Sequence, residues 1–148
     1  MGRIRFNISK DNLIILNLTV YSETLESSLT MNAVLDTGAA RSIIPPKIAS
    51  NLGYDISESK EMMEFSGVYG SGWSKIIRVS KLEAIGESVN DMDIVLHQLA
   101  PDIIADAILG LDFLRNFDTT ISYSKGIVET KPIPHNHKTP AAHLVSGV

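Results

Sequence analysis

The chain has 148 residues, 44% of them apolar, with 13 Lys and Arg against 17 Asp and Glu and no cysteine. That size and composition fit one soluble domain with its own core, rather than a disordered or membrane-spanning chain. The missing cysteines exclude a thiol nucleophile and a disulfide framework, and any zinc would have to rely on His and carboxylates. The net charge of -4 and scattered basic residues argue against a nucleic-acid or anionic-membrane surface, which needs a concentrated basic face.

The N-terminus MGRIRFNISKDNLIILNLTV lacks the apolar centre and small-residue cleavage site of a signal peptide, which leads to the expectation of a cytoplasmic protein. Within it Ile4 to Ile8 alternates, Asp11-Asn12 has turn chemistry and Leu13 to Tyr21 is rich in apolar and β-branched residues, predicting an opening hairpin. Leu29 to Leu35 predicts a further strand that runs into Asp36. Pro45-Pro46 then starts a short helix through Leu52, and Gly53 sits where a left-handed residue would close it. Glu61 to Phe65 and Trp73 to Val79 flank the glycine-rich tip Ser66 to Gly72, predicting a hairpin with a mobile end. Leu82 to Ile85, Met92 to Leu96 and Ile103 to Leu109 are shorter apolar runs punctuated by Gly86 and Pro101. Leu111 to Asn116 suits one or two helical turns, and Thr119 to Tyr123 with Gly126 to Glu129 predicts a final hairpin. From Lys131 the composition turns to Pro, His, Ala and Thr, so residues 1–130 are expected to form the domain and 131–148 a flexible tail.

Candidate chemistry centres on one carboxylate. There is no phosphate-binding Gly-x-x-x-x-Gly-Lys-Ser/Thr loop and no Gly-x-Ser-x-Gly elbow, and Gly67, Gly70 and Gly72 have the wrong spacing for a dinucleotide fingerprint. His135, His137 and His143 fall in the expected tail, where solvated side chains are a better reading than metal ligands, and His97 reads as a hydrogen-bonded structural imidazole. Asp36 differs, because it stands among Val34, Leu35, Ile43 and Ile44, where an isolated charge is costly unless it is paired or neutralised. Thr37 and Gly38 suit a catalytic Asp, since glycine permits a tight turn with its amide near the carboxylate and a Thr hydroxyl can fix the loop. Taken alone, the tripeptide is better accounted for by an ordinary Asx turn at a strand end, since so short a pattern often occurs by chance.

The order of motifs separates these readings. AVLDTGAARSIIP at Ala33 to Pro45, the glycine-tipped hairpin, and AILGLDFL at Ala107 to Leu114 resemble the retropepsin-like aspartic proteases over roughly residues 4 to 130. Asp36, Thr37, Gly38, Ala39 and Ser42 match the family's first motif, and Ile108-Leu109-Gly110 matches its second. Leu111 stands where viral members commonly carry Arg, so the sequence is more similar to the cellular and retrotransposon branches. The resemblance implies an all-β, closed-barrel-like acid protease fold with a flap hairpin and one or two short helices. It also implies an aspartic endopeptidase without metal or organic cofactor, acting on polypeptide. Because this chain has a single Asp-Thr-Gly, two identical chains would each supply Asp36 across a two-fold axis.

Other roles follow from the resemblance. Asp36 is catalytic, Thr37, Gly38 and Ser42 support its loop, and Gly38, Ala39, Val68, Tyr69 and Gly70 contact the extended substrate. Trp73 is expected to pack at the base of the flap, and Asp112 to brace the short helix after Gly110. A catalytically silent dimeric domain that binds peptides or proteins is the alternative, and a processing domain cut from a polyprotein a weaker third.

Overall fold

The computed structural model describes residues 1–57, 62–67 and 70–134, of which 62–71 are described by their backbone alone. Strand β1 (Gly2–Arg5) is followed by β2 (Asn7–Ile8), β3 (Ile14–Tyr21), β4 (Ser28–Leu35) and β5 (Ile43–Ile44). After helix α1 (Pro46–Asn51) come β6 (Met62–Gly67), β7 (Gly70–Ala84), β8 (Glu87–Leu96) and β9 (Ala107–Leu109). Helix α2 (Leu111–Leu114), β10 (Phe117–Ser122) and β11 (Ile127–Pro132) complete the described chain.

Eight strands pair in the order β2-β3-β4-β9-β5-β8-β7-β6. A second pairing of β3 with β7, Leu18 opposite Ala84 and Val20 opposite Leu82, joins the ends of the run from β3 to β7. Six strands therefore close a barrel, which removes the free edges an open sheet would expose. The all-β architecture expected from the sequence is the one observed.

Strand alternation fills the barrel. In β3, Leu16, Leu18 and Val20 are buried while Asn17 faces out, and Leu18 and Val20 have no exposed surface. They meet Leu82, Ile94, Leu109 and Phe113 in the main core. Adjacent residues of the short strands point to opposite faces, so Ile44 and Leu109 enter that core while Ile43 and Ile108 join a second cluster with Val95 and Leu99. Strand β9 is thus buried on both faces, which suits its unbroken apolar sequence.

Helix α1 begins at Pro46 as expected, since proline's missing amide is harmless in a first turn. Gly53 closes it at φ +89°, its amide donating to Ser50 O at 3.0 Å.

Several expectations are corrected. Of the opening run only Asn7 and Ile8 pair with β3; Gly2–Arg5 pairs instead with β11, in a separate sheet ordered β1-β11-β10. Alternation fixes which face a strand buries but not its partner. Trp73 to Val79 and Leu82 to Ile85 belong mostly to one strand, β7, since Ser80 and Lys81 continue its extended backbone between them. In the run Ile103 to Leu109 only the last three residues form a strand, and its first residue still belongs to a turn through Pro101, where Ile103 N bonds Ala100 O. Strand β11 continues through Lys131 and Pro132, opposite Asp118 and Phe117. Residues 135–148, where the flexible tail is expected, lie outside the described residues.

Candidate functional site: the Asp36 loop

Strands β4 and β9 run parallel with Val34 opposite Ile108 and Leu35 opposite Leu109, and β5 lies on the far side of β9 with Ile43 opposite Ile108. Residues 36–42 must therefore cross from one flank of β9 to the other, over its C-terminal end. Gly110 occupies that end, and a Cβ there would lie 2.7 Å from Ala39 O and 2.9 Å from both Arg41 C and Arg41 O. Its φ of -105° is accessible to any residue, so it is the closeness of two backbones that calls for glycine here.

Hydrogen bonds fasten the crossing. The Asp36 amide donates to Leu109 O at 3.0 Å, the Ala39 amide to Asp36 O at 3.2 Å, and the Leu111 amide to Ala39 O at 2.8 Å. The Gly38 amide donates to Asp36 Oδ1 at 2.8 Å. At the return leg the Gly110 amide donates to Ser42 Oγ at 2.9 Å, while the Ser42 hydroxyl donates to Asp112 Oδ1 at 2.6 Å and its amide to Asp112 Oδ2 at 2.8 Å. Ser42 is fully buried; this set satisfies its amide and hydroxyl, and its carbonyl accepts from the Val95 amide at 3.1 Å.

Asp36, Gly38, Ala39 and Ser42 are thus brought together on one loop around Gly110. Asp36 is half-buried, not enclosed as its apolar neighbours suggest: Leu35 and Ile43 are buried, while the loop between them rises to the surface. Thr37 and Gly38 are exposed, and Ala39 packs on the second cluster. Among the described residues no side-chain hydrogen bond is formed by Thr37.

The hairpin of β6 and β7 belongs to another part of the barrel wall. Gly67 pairs with Gly70, and the candidate residues Val68 and Tyr69 lie outside the described residues. Trp73 is 66% exposed instead of packed, because its neighbour Ser74 takes the buried side of the alternating strand. Ser74 Oγ lies 3.4 Å from His97 Nδ1. Asp112 does brace its helix, accepting from the Phe113 amide at 2.9 Å, but its two bonds to Ser42 were not foreseen; no sequence spacing links residues so far apart.

These features, an Asp-Thr-Gly at the end of a strand paired in parallel with a late apolar strand and a glycine beneath its loop, agree with the wider comparison. Residues 25–116 match the family model described as "gag-polyprotein putative aspartyl protease". The chain belongs to this aspartyl protease family. No curated protein matches the sequence. Among solved structures, a retropepsin-like aspartic protease from Rickettsia conorii is similar with a TM-score of 0.62 at 20% identity, covering 86% of this chain and 88% of that one. The fold is therefore retropepsin-like, and Asp36 to Ser42 with Leu109 and Gly110 all fall inside the stretch that matches the aspartyl protease family.

Among the described residues no three His, Asp or Glu gather as metal ligands would. His135, His137 and His143 lie outside the described residues. No described helix is long and apolar enough to cross a membrane.

Proposed function

We propose that the protein is an aspartic endopeptidase whose active unit is a homodimer, with Asp36 of each chain forming the catalytic pair. The observation that carries this reading is the half-exposed Asp36 carboxylate, held by the Gly38 amide at 2.8 Å on a loop rigidly seated against Gly110. A single carboxylate cannot be base and acid at once, and this chain has one Asp-Thr-Gly. Two carboxylates facing each other share one proton because both cannot ionise at close range.

In the reaction the ionised Asp36 removes a proton from a bound water, whose oxygen adds to the scissile carbonyl carbon. The other Asp36 gives its proton to the carbonyl oxygen, yielding a tetrahedral diol. Return of a proton to the departing amine breaks the C–N bond and leaves a carboxylic acid and an amine. No metal or organic cofactor enters these steps.

Thr37, exposed in the single chain, supports the pair across the two-fold axis, and Ser42 holds the return leg of the loop. Gly38 and Ala39 offer main-chain groups to an extended polypeptide, which binds as an added strand. Gly70, with Val68 and Tyr69, closes over the substrate as a flap and excludes water.

The test is Asp36→Asn, which keeps side-chain shape and removes both carboxylates of the pair. Cleavage of a peptide library should fall at least about a thousandfold, while the melting temperature stays level or rises because two crowded acids are gone. Wild-type activity per chain should also rise with protein concentration as dimers form. Equal cleavage by wild type and Asp36→Asn would refute the protease, and a partner-binding module would then be the better account.

A further inference from the structure

Helix α2 has Gly110 as its N-cap, with no side chain to contribute, and Asp112 is the one acidic residue in its first turn. An acidic residue there ordinarily serves its own helix. Only one of the three bonds to the Asp112 carboxylate does so, from the Phe113 amide; the Ser42 amide and hydroxyl, 70 positions earlier, supply the others. The 2.6 Å hydroxyl contact is in the range of charge-assisted bonds to a carboxylate.

Ser42 is the last residue of the loop before β5. Where the loop departs, Asp36 is fixed by its amide on Leu109 O, in continuation of the β4–β9 ladder. At the point of return the Ser42 carbonyl accepts from the Val95 amide at 3.1 Å, while its hydroxyl oxygen is held by the Gly110 amide and its amide and hydroxyl proton by Asp112. A loop anchored at both ends has one curvature, and that curvature sets the direction in which the Asp36 carboxylate points. If the acceptor at the return end is removed, the buried Ser42 amide loses its partner and the Ser42 hydroxyl its acceptor, which leaves the Gly110 amide alone to hold Ser42 Oγ.

We propose that Asp112 is a positioning residue for Asp36: through Ser42 it fixes the return leg of the catalytic loop, and so the aim of the catalytic carboxylate. The role rests on the protease reading of Asp36, yet the anchor itself can be read without any activity. None of the barrel's strand pairings passes through Asp112. Its loss therefore loosens the loop and leaves the barrel closed.

The test compares Asp112→Ala and Asp112→Asn with wild type by native-state amide hydrogen exchange, steady-state kinetics and thermal melting. Asp112→Ala should speed exchange at the Ser42 and Gly110 amides at least about tenfold, with β3 and β8 unchanged, since local opening needs only the loop. The kcat should fall by about a hundredfold, as small misplacements of a catalytic group do, with KM within about twofold. Asp112→Asn should recover part of kcat: its carbonyl still accepts from the Ser42 hydroxyl, while its NH2 faces the Ser42 amide donor to donor. Wild-type kcat and unchanged exchange in Asp112→Ala would overturn the proposal, as would an Asn variant no better than Ala. If the wild type cleaves nothing, the protease reading fails by itself and exchange decides the anchor: acceleration confined to residues 36–42 and Gly110 upholds it, and none refutes it.

Discussion

Replacing Gly110 by Ala tests the seating of the Asp36 loop with a single methyl group. The new Cβ would meet Ala39 O at 2.7 Å and Arg41 C and O at 2.9 Å. All three are backbone atoms, so no side chain can swing aside. Ordinary contact begins near 3.4 Å, which requires the loop or α2 to move by about 0.7 Å. That motion pulls on the Leu111 to Ala39 bond of 2.8 Å and the Gly110 to Ser42 bond of 2.9 Å. Overpacking a tight interior costs roughly 1–3 kcal/mol and a weakened hydrogen bond about 1 more, giving about 3 kcal/mol with the steric part near the middle of its range. For a domain of this size each kcal/mol lowers the melting temperature by about 3 °C, so Gly110→Ala should melt about 9 °C early. Gly53→Ala is the control, because nothing lies within 4 Å of its Cβ position and only its φ of +89° opposes the change. A left-handed residue other than glycine costs about 1 kcal/mol, so this variant should lose about 3 °C. If calorimetry finds Gly110→Ala no less stable than Gly53→Ala, the close approach of loop and helix is not what requires the glycine.

Two further outcomes probe the barrel and its terminal sheet. Leu18→Ala removes a side chain with no exposed surface and should cost about 3–4 kcal/mol, read as a lower urea midpoint at constant slope; a loss under about 1 kcal/mol would mean that Leu18 does not sit in a close-packed core. A chain ending after Thr130 loses the Asp118–Lys131 and Phe117–Pro132 positions that a chain ending after Pro134 keeps, so the shorter form should be less stable by about 1–2 kcal/mol, and equal melting of the two would show those pairings to be idle.

Local signals were legible in the sequence and distant pairings were not. Pro46 and Gly53 mark the two ends of α1 through their own backbone constraints, and the turn at Ser124-Lys125 sits between strands whose residues alternate. Asp36 was found because a charge between apolar runs needs a reason. By contrast, the parallel pairing of Val34 with Ile108 joins segments with no local turn between them, and nothing in either segment encodes the other's position. The transfer of the chain from one sheet to another at Phe6 is hidden for a similar reason. Its amide bonds Gly126 O, far along the sequence, while the alternating pattern runs on from Ile4 to Ile8 as if the strand were continuous. Ser42 and Asp112 each look ordinary alone, as a buried serine and a first-turn acid, and only the crossing of the loop over β9 makes them partners. Trp73 misled because a large aromatic ordinarily packs, whereas strand alternation gave the inward side to Ser74.

The length of β7 bears on how the hairpin can move. Its first part is paired with β6 as far as Lys75 opposite Met62, and its next residue, Ile76, already lies opposite Val95 of β8. The strand changes partner without a break, so the hairpin is a cantilever built into the barrel wall, with its root between residues 75 and 76. Two fastenings lie on the hairpin side of that root: Ser74 Oγ at His97 Nδ1, 3.4 Å away, and Lys75 Nζ donating to Ile56 O at 2.7 Å. A hinged lid would swing freely about a loop, but a built-in beam must bend, and its stiffness is set where it is clamped. Substitutions at Ser74, Lys75 or His97 would thus alter the stiffness of that root.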